Sequence, residues 1–598
     1  MTWRPVKAPR GNKPPRCAGT PMTCPDTPDP AEKSRSVTYT LRLVETQAAT
    51  GFFMPGPDGE PDFDAVRAYL GDHPHDEFMH RYALDLLGRI PLEDVRRLMI
   101  SEDQEPWLTA LLMEAILTHT SLAALRKQLA HQDIVAYRND TPLLVLRSES
   151  LPDQDRHRQW AAHLKKNLQQ HQPLAELAGA KLPHLDVDPA PPFPIPLDKV
   201  PPPAAGSGPP APPPSFEAVV ATALERLEGL GILAEQEMRH ESSLSPIALM
   251  RRWRMQIHVQ QDRHQYRFQG LQTAYGKGLS LERARASCLM EIVERCSAFA
   301  RVEDGRLPDT ARELTLLRGR LSELQQSDCA ALDPATLGLE VPYEDQSLYW
   351  IPGTQTGGQV VNVPFQAVYL FANLDEICLF SGLGSTGLAA GGSLDQAKFH
   401  ALLECIERDA EAVQPFDARR CFRLATRDAA VDGLLADYRG RGIDIVFQDC
   451  TGGLGIPCYK CFVYGPGPAE LAKGTSAHFA GWQAALAALT ETPYPYPHGP
   501  ASRPGPPELP VRYLEELPDY ASGNPTSDLQ RLESLLAANH IHPIYVELTR
   551  RDLQIPVVRA LIPGFELMAD FDRFTRISPR LYRNYRQNLR ALTLEARV

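Results

Sequence analysis

Two stretches of the chain place carboxylates at a spacing suited to metal-assisted phosphate chemistry. GLSLERARASCLMEIVER (Gly278–Arg295) and GGSLDQAKFHALLECIER (Gly391–Arg408) align without gaps and share Gly, Ser, Leu, Ala, Leu, Glu, Glu and Arg. Each reads as a Gly-led helix with two acids three residues apart, Glu291 and Glu294 in the first and Glu404 and Glu407 in the second. At about 100° per residue, Ala284, Ala286, Cys288, Leu289, Met290, Ile292, Val293 and Cys296 cover most of the first helix's circumference, as in a buried helix. Ser287, Glu291 and Glu294 interrupt that surface within a stripe about 60° wide. The second helix repeats this with His400, Glu404, Glu407 and Glu411 against Ala397, Phe399, Ala401, Leu402, Leu403, Cys405 and Ile406.

Burying like charges side by side costs several kcal/mol unless cations or strong donors compensate. Hard, oxygen-ligated Mg²⁺ is a natural compensator, and a phosphate-bearing ligand would bring it. The competing reading is a surface salt bridge at i,i+4, Glu291 with Arg295 and Glu404 with Arg408, worth a few tenths of a kcal/mol.

Loops ahead of both helices suit phosphate. Ser381–Gly392 (SGLGSTGLAAGG) is Gly-rich and runs into a helix start capped by Ser393, with Gln396 completing a capping box. Lys277 lies in Ala-Tyr-Gly-Lys-Gly before the first helix and can reach a phosphate or point to water. There is no GxxxxGK[ST], so neither loop is a P-loop.

The elements that must position these helices fall into five segments. Residues 1–37 are rich in Pro and Lys/Arg, lack apolar periodicity and read as disordered. Residues 38–183 alternate acidic and apolar residues at helical spacing and read as a mainly helical domain, with Thr141–Arg147 as a short extended piece. Residues 184–215 are a Pro-rich linker, read as a semi-rigid tether rather than an SH3-type ligand. Residues 216–570 open with an amphipathic helix, Phe216–Leu233, and mix helices with strand-like runs such as IDIVFQDC and HPIYVEL, giving a mixed α/β (α+β) domain of catalytic size. Residues 571–598 are an Arg-rich helical tail, either a solvated face or a contact for an acidic surface.

Composition narrows the class. The 598 residues are 43% apolar and 23% charged, ordinary for a globular chain, and the net charge of −12 argues against broad nucleic-acid binding while leaving room for a local basic patch. Without an apolar amino-terminal run or an uninterrupted apolar stretch of about eighteen residues, no membrane segment is expected, and the expected location is cytoplasmic. Eleven scattered cysteines suggest reduced core thiols rather than a disulfide framework. Cys458-Tyr-Lys-Cys461 is a CxxC inside a strand-like run, where the two thiols point to opposite faces; Cys450, Cys17 and Cys24 are its available metal partners.

At these motifs the chain resembles the YcaO family. The fingerprints are Gly276-Lys-Gly278 followed by SxxxExxER (Ser287, Glu291, Glu294, Arg295), then STGLAAG (Ser385–Gly391) leading to ExxERDA (Glu404–Ala410), and IPVVRALIPGFE (Ile555–Glu566) as a closing strand motif. The resemblance spans about 216–570 and implies an enzyme that uses ATP and Mg²⁺ to activate a backbone amide of a peptide or protein by O-phosphorylation, yielding a thioamide or an azoline. It assigns Glu291, Glu294, Glu404 and Glu407 as Mg²⁺ ligands and Arg408 to phosphate, all five catalytic. Ser287, Arg295, Lys277 and Glu491 become nucleotide-binding candidates, Arg295 lying at the edge of its stripe. A sulfur-delivery or leader-binding partner and a homodimer are also implied.

The chain departs from that pattern after Glu491. Many relatives continue into Ala-Ala-Gln and an Arg, whereas TPYPYPHGP (Thr492–Pro500) must end the helix. The terminal TLEARV lacks the Pro-rich end of many azoline-forming members, which favours thioamidation or an accessory role. The alternative is therefore a nucleotide-binding factor assisting a separate modifying enzyme, such as a ribosomal-protein methylthiotransferase. A third reading is a helical scaffold with ordinary salt-bridged acidic faces.

Overall fold

In the computed structural model, the described residues are 36–44, 52–100, 105–186, 195–203, 214–467, 470–567 and 571–595. The disorder expected for 1–37 lies outside them except at its last two residues, as do Cys17, Cys24 and most of the Pro-rich linker. The chain divides into Met1–Ser36 and Val37–Val598, and the second unit carries everything below.

Three sheets, the first and third mixed and the second wholly antiparallel, and the helices between them make an α/β fold. The first sheet is built on a long hairpin, β3 (Ile247–Gln261) and β4 (His264–Gly278), paired antiparallel along its full length. The 38–183 segment adds to it: β1 (Val37–Val44) lies parallel to β4, and β2 (Phe52–Pro57) pairs with β1. Two strands thus precede the helices of that segment, α1 (Phe63–Asp72), α2 (Glu77–Leu87), α3 (Pro106–Thr118) and α4 (Gln154–Leu168). Thr141–Arg147 is not extended: Val145–Glu149 is a short helix, and Leu143, Leu144 and Val145 are buried in the core. An apolar run buried on all sides carries no periodicity to separate strand from helix.

The second sheet runs β6 (Val360–Pro364), β5 (Leu348–Gln355), β12 (Ile544–Glu547), β13 (Val557–Leu561), β7 (Leu388–Ala390). The third runs β11 (Leu471–Ala477), β10 (Cys458–Tyr464), β9 (Val446–Asp449), β8 (Cys421–Ala425) and, parallel to β8, the short strand Val511–Tyr513. The main core joins the inner face of the first sheet, α1 to α3, α6 (Leu281–Ser297) and β5, while α4 packs in a separate cluster with the carboxyl-terminal helix. The amphipathic helix α5 (Phe216–Gly229) packs on α6 and stops four residues before Leu233. A second core wraps α7 (Leu394–Val413) with β13 and α9 (Pro525–Ala538); a third lies between α8 (Gly481–Glu491) and β8–β10.

Cys458 belongs to the second core and Cys461 to the third, so strand alternation separates the CxxC thiols. The nine described cysteines are free. The tail helix α10 (Pro579–Glu595) and the loop before it do contact acids: Arg573 pairs with Glu149, Arg576 with Asp153 and Arg580 with Asp409, while Tyr585 is buried. Among the described residues no single helix is long and apolar enough to cross a membrane.

Candidate active site

The hydrophobic stripes seat α6 and α7 against different strands and turn their acids toward one region. In α6, Ala284, Ala286, Cys288, Leu289, Ile292, Val293 and Cys296 are buried, while Glu291 and Glu294 keep 27% and 18% of their side chains exposed. In α7, Ala397, Phe399, Ala401, Leu402, Leu403, Cys405 and Ile406 are buried, and Glu407 keeps 13%. These acids are recessed in a cleft rather than displayed on a surface.

Close backbone packing sets the first pair. A Cβ on Gly276 would lie 2.0 Å from the Ala284 carbonyl oxygen, so only glycine lets β4 cross α6 here. The crossing brings the Tyr275 N–H within 2.8 Å of Glu291 Oε2, which accepts from it. The next side chain, Lys277, reaches Glu491 Oε2 at 2.5 Å. Glu491 is the last residue of α8, and Thr492 caps it, as the proline run requires.

The Gly-rich loop sets the second pair. Gly387 has φ +79° and leaves no room for a Cβ, which would sit 2.3 Å from the Ala560 carbonyl oxygen. Its N–H supports the ionised form of Glu404. The Ser393 hydroxyl accepts from the Gln396 N–H at 3.2 Å, while Gln396 reaches back to the Gly392 N–H, one residue earlier than a capping box would place it.

Electrostatics joins the helices. Glu294 is pushed up to about 8 by burial and by the charges of Glu404 and Glu291, against the pull of Arg295 and Arg559. Glu407 is pushed up to about 8 by burial and by Glu404, Glu411 and Glu491, against Arg408. Burial likewise raises Glu404 and Glu291. Glu411 is the exception: Lys473, 2.9 Å away, together with Lys460 and Arg408 overcomes its burial and holds it down to about 2.

The arginines depart from the sequence reading. Arg295 lies among the acids rather than at the edge of the stripe, 3.7 Å from Glu291 and 3.4 Å from Glu294. Arg408, 45% exposed, pairs with Glu407 and Glu411 rather than with Glu404, so the second i,i+4 surface bridge does not form. Ser287 is exposed, one turn before Glu291. Sequence reasoning missed Arg559 of β13. Its side chain is fully buried, both terminal nitrogens donate to the Gly384 carbonyl at 3.0 Å, and its Nε has no partner. The signal was present: one cation in VVRAL, a strand otherwise wholly apolar.

Among the described residues, no three His, Cys, Asp or Glu side chains converge closely enough to hold a metal ion by themselves. The donor set nonetheless fits Mg²⁺, which takes one or two carboxylates and fills its shell with water and phosphate oxygens. Repulsion among Glu291, Glu294, Glu404 and Glu407 is what a dication relieves. At the rim, Lys277 is paired with Glu491 and Arg408 with Glu407 and Glu411.

A family model of YcaO cyclodehydratases, described as ATP- and Mg²⁺-binding, matches residues 275–493 and 494–566. An uncharacterized protein of Methanothermobacter thermautotrophicus is 30% identical over 331 residues, covering 49% of this chain and 82% of that protein. An uncharacterized protein from the tfuA 3′ region of Rhizobium leguminosarum bv. trifolii is 25% identical over 231 residues, 36% of this chain and 53% of that one. Among solved structures, YcaO from Methanopyrus kandleri bound with AMPPCP and Mg²⁺ is 18% identical with a TM-score of 0.41, covering 59% of this chain and 91% of that chain. A heterocyclase in complex with substrate and cofactor is 18% identical with a TM-score of 0.44, covering 58% and 52%. The chain thus spans about half the length of the Rhizobium relative and of that heterocyclase.

Proposed function

The chain belongs to the YcaO family, whose model is ATP- and Mg²⁺-binding, and from that premise we propose that it activates a backbone amide of a peptide or protein for conversion to a thioamide or an azoline. The observation that carries this reading is the recessed acids of two helices that repeat one motif, where Glu404 and Glu291 raise Glu294 by repulsion. Bound ATP with Mg²⁺ supplies the phosphoryl group that makes the amide oxygen a leaving group once a nucleophile has added to the carbonyl carbon. Glu291, Glu294, Glu404 and Glu407 would hold the metal, and Arg408 and Lys277 would orient phosphate. Arg295 and Arg559 limit the repulsion among these acids. Tyr275 and Gly387 hold two of the carboxylates by backbone N–H donation, so their geometry is set before ligand arrives.

The proposal extends to a cytoplasmic protein acting with a sulfur-delivery or leader-binding partner, as a homodimer, and not on nucleic acid. Purified protein with a candidate peptide should release phosphate in a peptide-dependent way, and Glu291→Ala or Glu404→Ala should lower turnover by orders of magnitude. Mass spectrometry of the peptide would read a loss of about 18 Da for an azoline or a gain of about 16 Da for a thioamide, from replacement of the carbonyl oxygen. Unchanged turnover in both variants removes the reading.

The end of α8 at Glu491 favours a second reading, an accessory nucleotide-binding factor for a separate modifying enzyme. It predicts an ATP-dependent rise in melting temperature with neither phosphate release nor peptide modification.

A further inference from the structure

We propose that the outward face of the β2–β1–β4–β3 sheet docks an acidic stretch of the substrate polypeptide; this rests on the reading above and names the substrate's charge. The four strands contain no Asp or Glu, in a chain with 74 acidic against 62 basic residues. Their inner face is the core, with Trp253, Met255, Val259, Tyr266, Phe268 and Ala274 buried. Strand alternation therefore sends Arg252, Arg254, His258, Arg267 and Lys277 to the other side, and Arg42 of β1 with them.

Register makes this one patch. Arg252 sits opposite Thr273, Arg254 opposite Leu271 and His258 opposite Arg267, while Thr38 and Thr40 of β1 flank Arg267 and Gln269. Arg254 and Arg267 have no acidic partner within 4.0 Å among the described residues; Arg252 and Arg42 have only rim contacts, Glu235 at 3.4 Å and Glu60 at 3.5 Å. Burial, and after it the Arg267 and Arg301 charges against Glu303, holds the His258 imidazole below its ordinary value. Gln256, Gln269 and Thr273 offer hydrogen bonds between the cations, and Leu271 and Tyr275 are exposed. Guanidinium forks spaced along paired strands suit side-chain carboxylates of an extended peptide.

One end of the patch is the active site. Tyr275 and Lys277 contact Glu291 and Glu491 directly. From Arg267 to Lys277, β4 spans about 33 Å at about 3.3 Å per residue, room for an extended segment of about ten residues. A polypeptide held there by its acids has its adjoining residues at the acidic cleft, which repels carboxylates. A neutral stretch beside an acidic one is thus what the two surfaces select. Nucleic acid fits less well, because Tyr275 and the His258 imidazole are the aromatic side chains that β3 and β4 turn outward, too few for successive bases to stack on.

The test is fluorescence anisotropy with three labelled probes of about 20 residues or nucleotides: a Glu/Asp-rich peptide, its Gln/Asn counterpart and oligo-uridine RNA. The acidic peptide should bind at least about tenfold tighter than the neutral one, weaken with salt, and lose about tenfold in Arg254→Glu with Arg267→Glu. In that variant the rise in melting temperature with ATP and Mg²⁺ should remain as in the parent, which also reports that it folds. Equal binding of the two peptides, undiminished binding in the variant, or tighter binding of RNA than of the acidic peptide overturns the proposal. Acidic-peptide binding with no ATP-dependent shift in the parent leaves the docking face standing and removes the nucleotide site instead.

Discussion

Glu294 of α6 lies within the electrostatic reach of Glu404 of α7, so the second acid of one repeat feels the charge of the first acid of the other. Burial first, and then repulsion from Glu404 and Glu291, raises Glu294 to about 8.

That relationship sets a pH dependence. Glu294 and Glu407 are each raised from 4.5 to about 8, so each binds more protons folded than unfolded across that interval. Their contribution is most favourable below about 4.5 and is lost as pH rises through about 8. Glu294→Gln or Glu407→Gln should therefore gain stability over the parent as pH rises from about 5 to about 8.5 in nucleotide-free thermal melts. A stability difference that does not change with pH would sink the assignment.

Arg559 should matter although it lies far from the motif acids in sequence. Arg559→Met removes a buried cation from beside Glu404 and Glu294 and frees the Gly384 carbonyl, and a loss of about 3–5 kcal/mol is expected in denaturant titrations. The loss should be larger at pH 8 than at pH 5, because the acids it offsets are then ionised to a greater extent. A loss equal at both pH values would assign Arg559 to packing alone.

Gly276→Ala and Gly433→Ala separate close packing from glycine content. The first puts a methyl 2.0 Å from a backbone oxygen, and the second meets nothing within 4 Å on a helix. Gly276→Ala should cost about 2–4 kcal/mol and weaken nucleotide binding through Glu291, whereas Gly433→Ala should be neutral or stabilising by up to about 1 kcal/mol. Comparable melting temperatures for the two variants would contradict the crossing of β4 over α6.

The CxxC should behave as core. Burial holds the Cys458 thiol well above its ordinary range and Cys461 up to about 12. Native protein treated with iodoacetamide near pH 8 should leave both unmodified by mass spectrometry, and a chelator should not change the melting temperature measured without added metal. Rapid labelling of both thiols, or a chelator-induced fall, would restore a metal site there.

The sequence by itself determined the two acidic helices, their buried faces and their glycine-led starts, because helical period, capping chemistry and the cost of burying charge are local properties. It also separated Cys458 from Cys461, since strand alternation has a period of two. Tertiary structure alone decided that Glu294 feels the charge of Glu404, that Arg295 sits among the acids, that Arg408 leaves Glu404 for Glu411, and that Arg559 supplies a cation from a strand otherwise apolar. It also decided that β1 and β2 extend the β3–β4 hairpin into one sheet with an acid-free outer face. The physical reason is that a charge is stabilised by whatever lies within a few ångströms, and which residues those are is set by packing between distant elements.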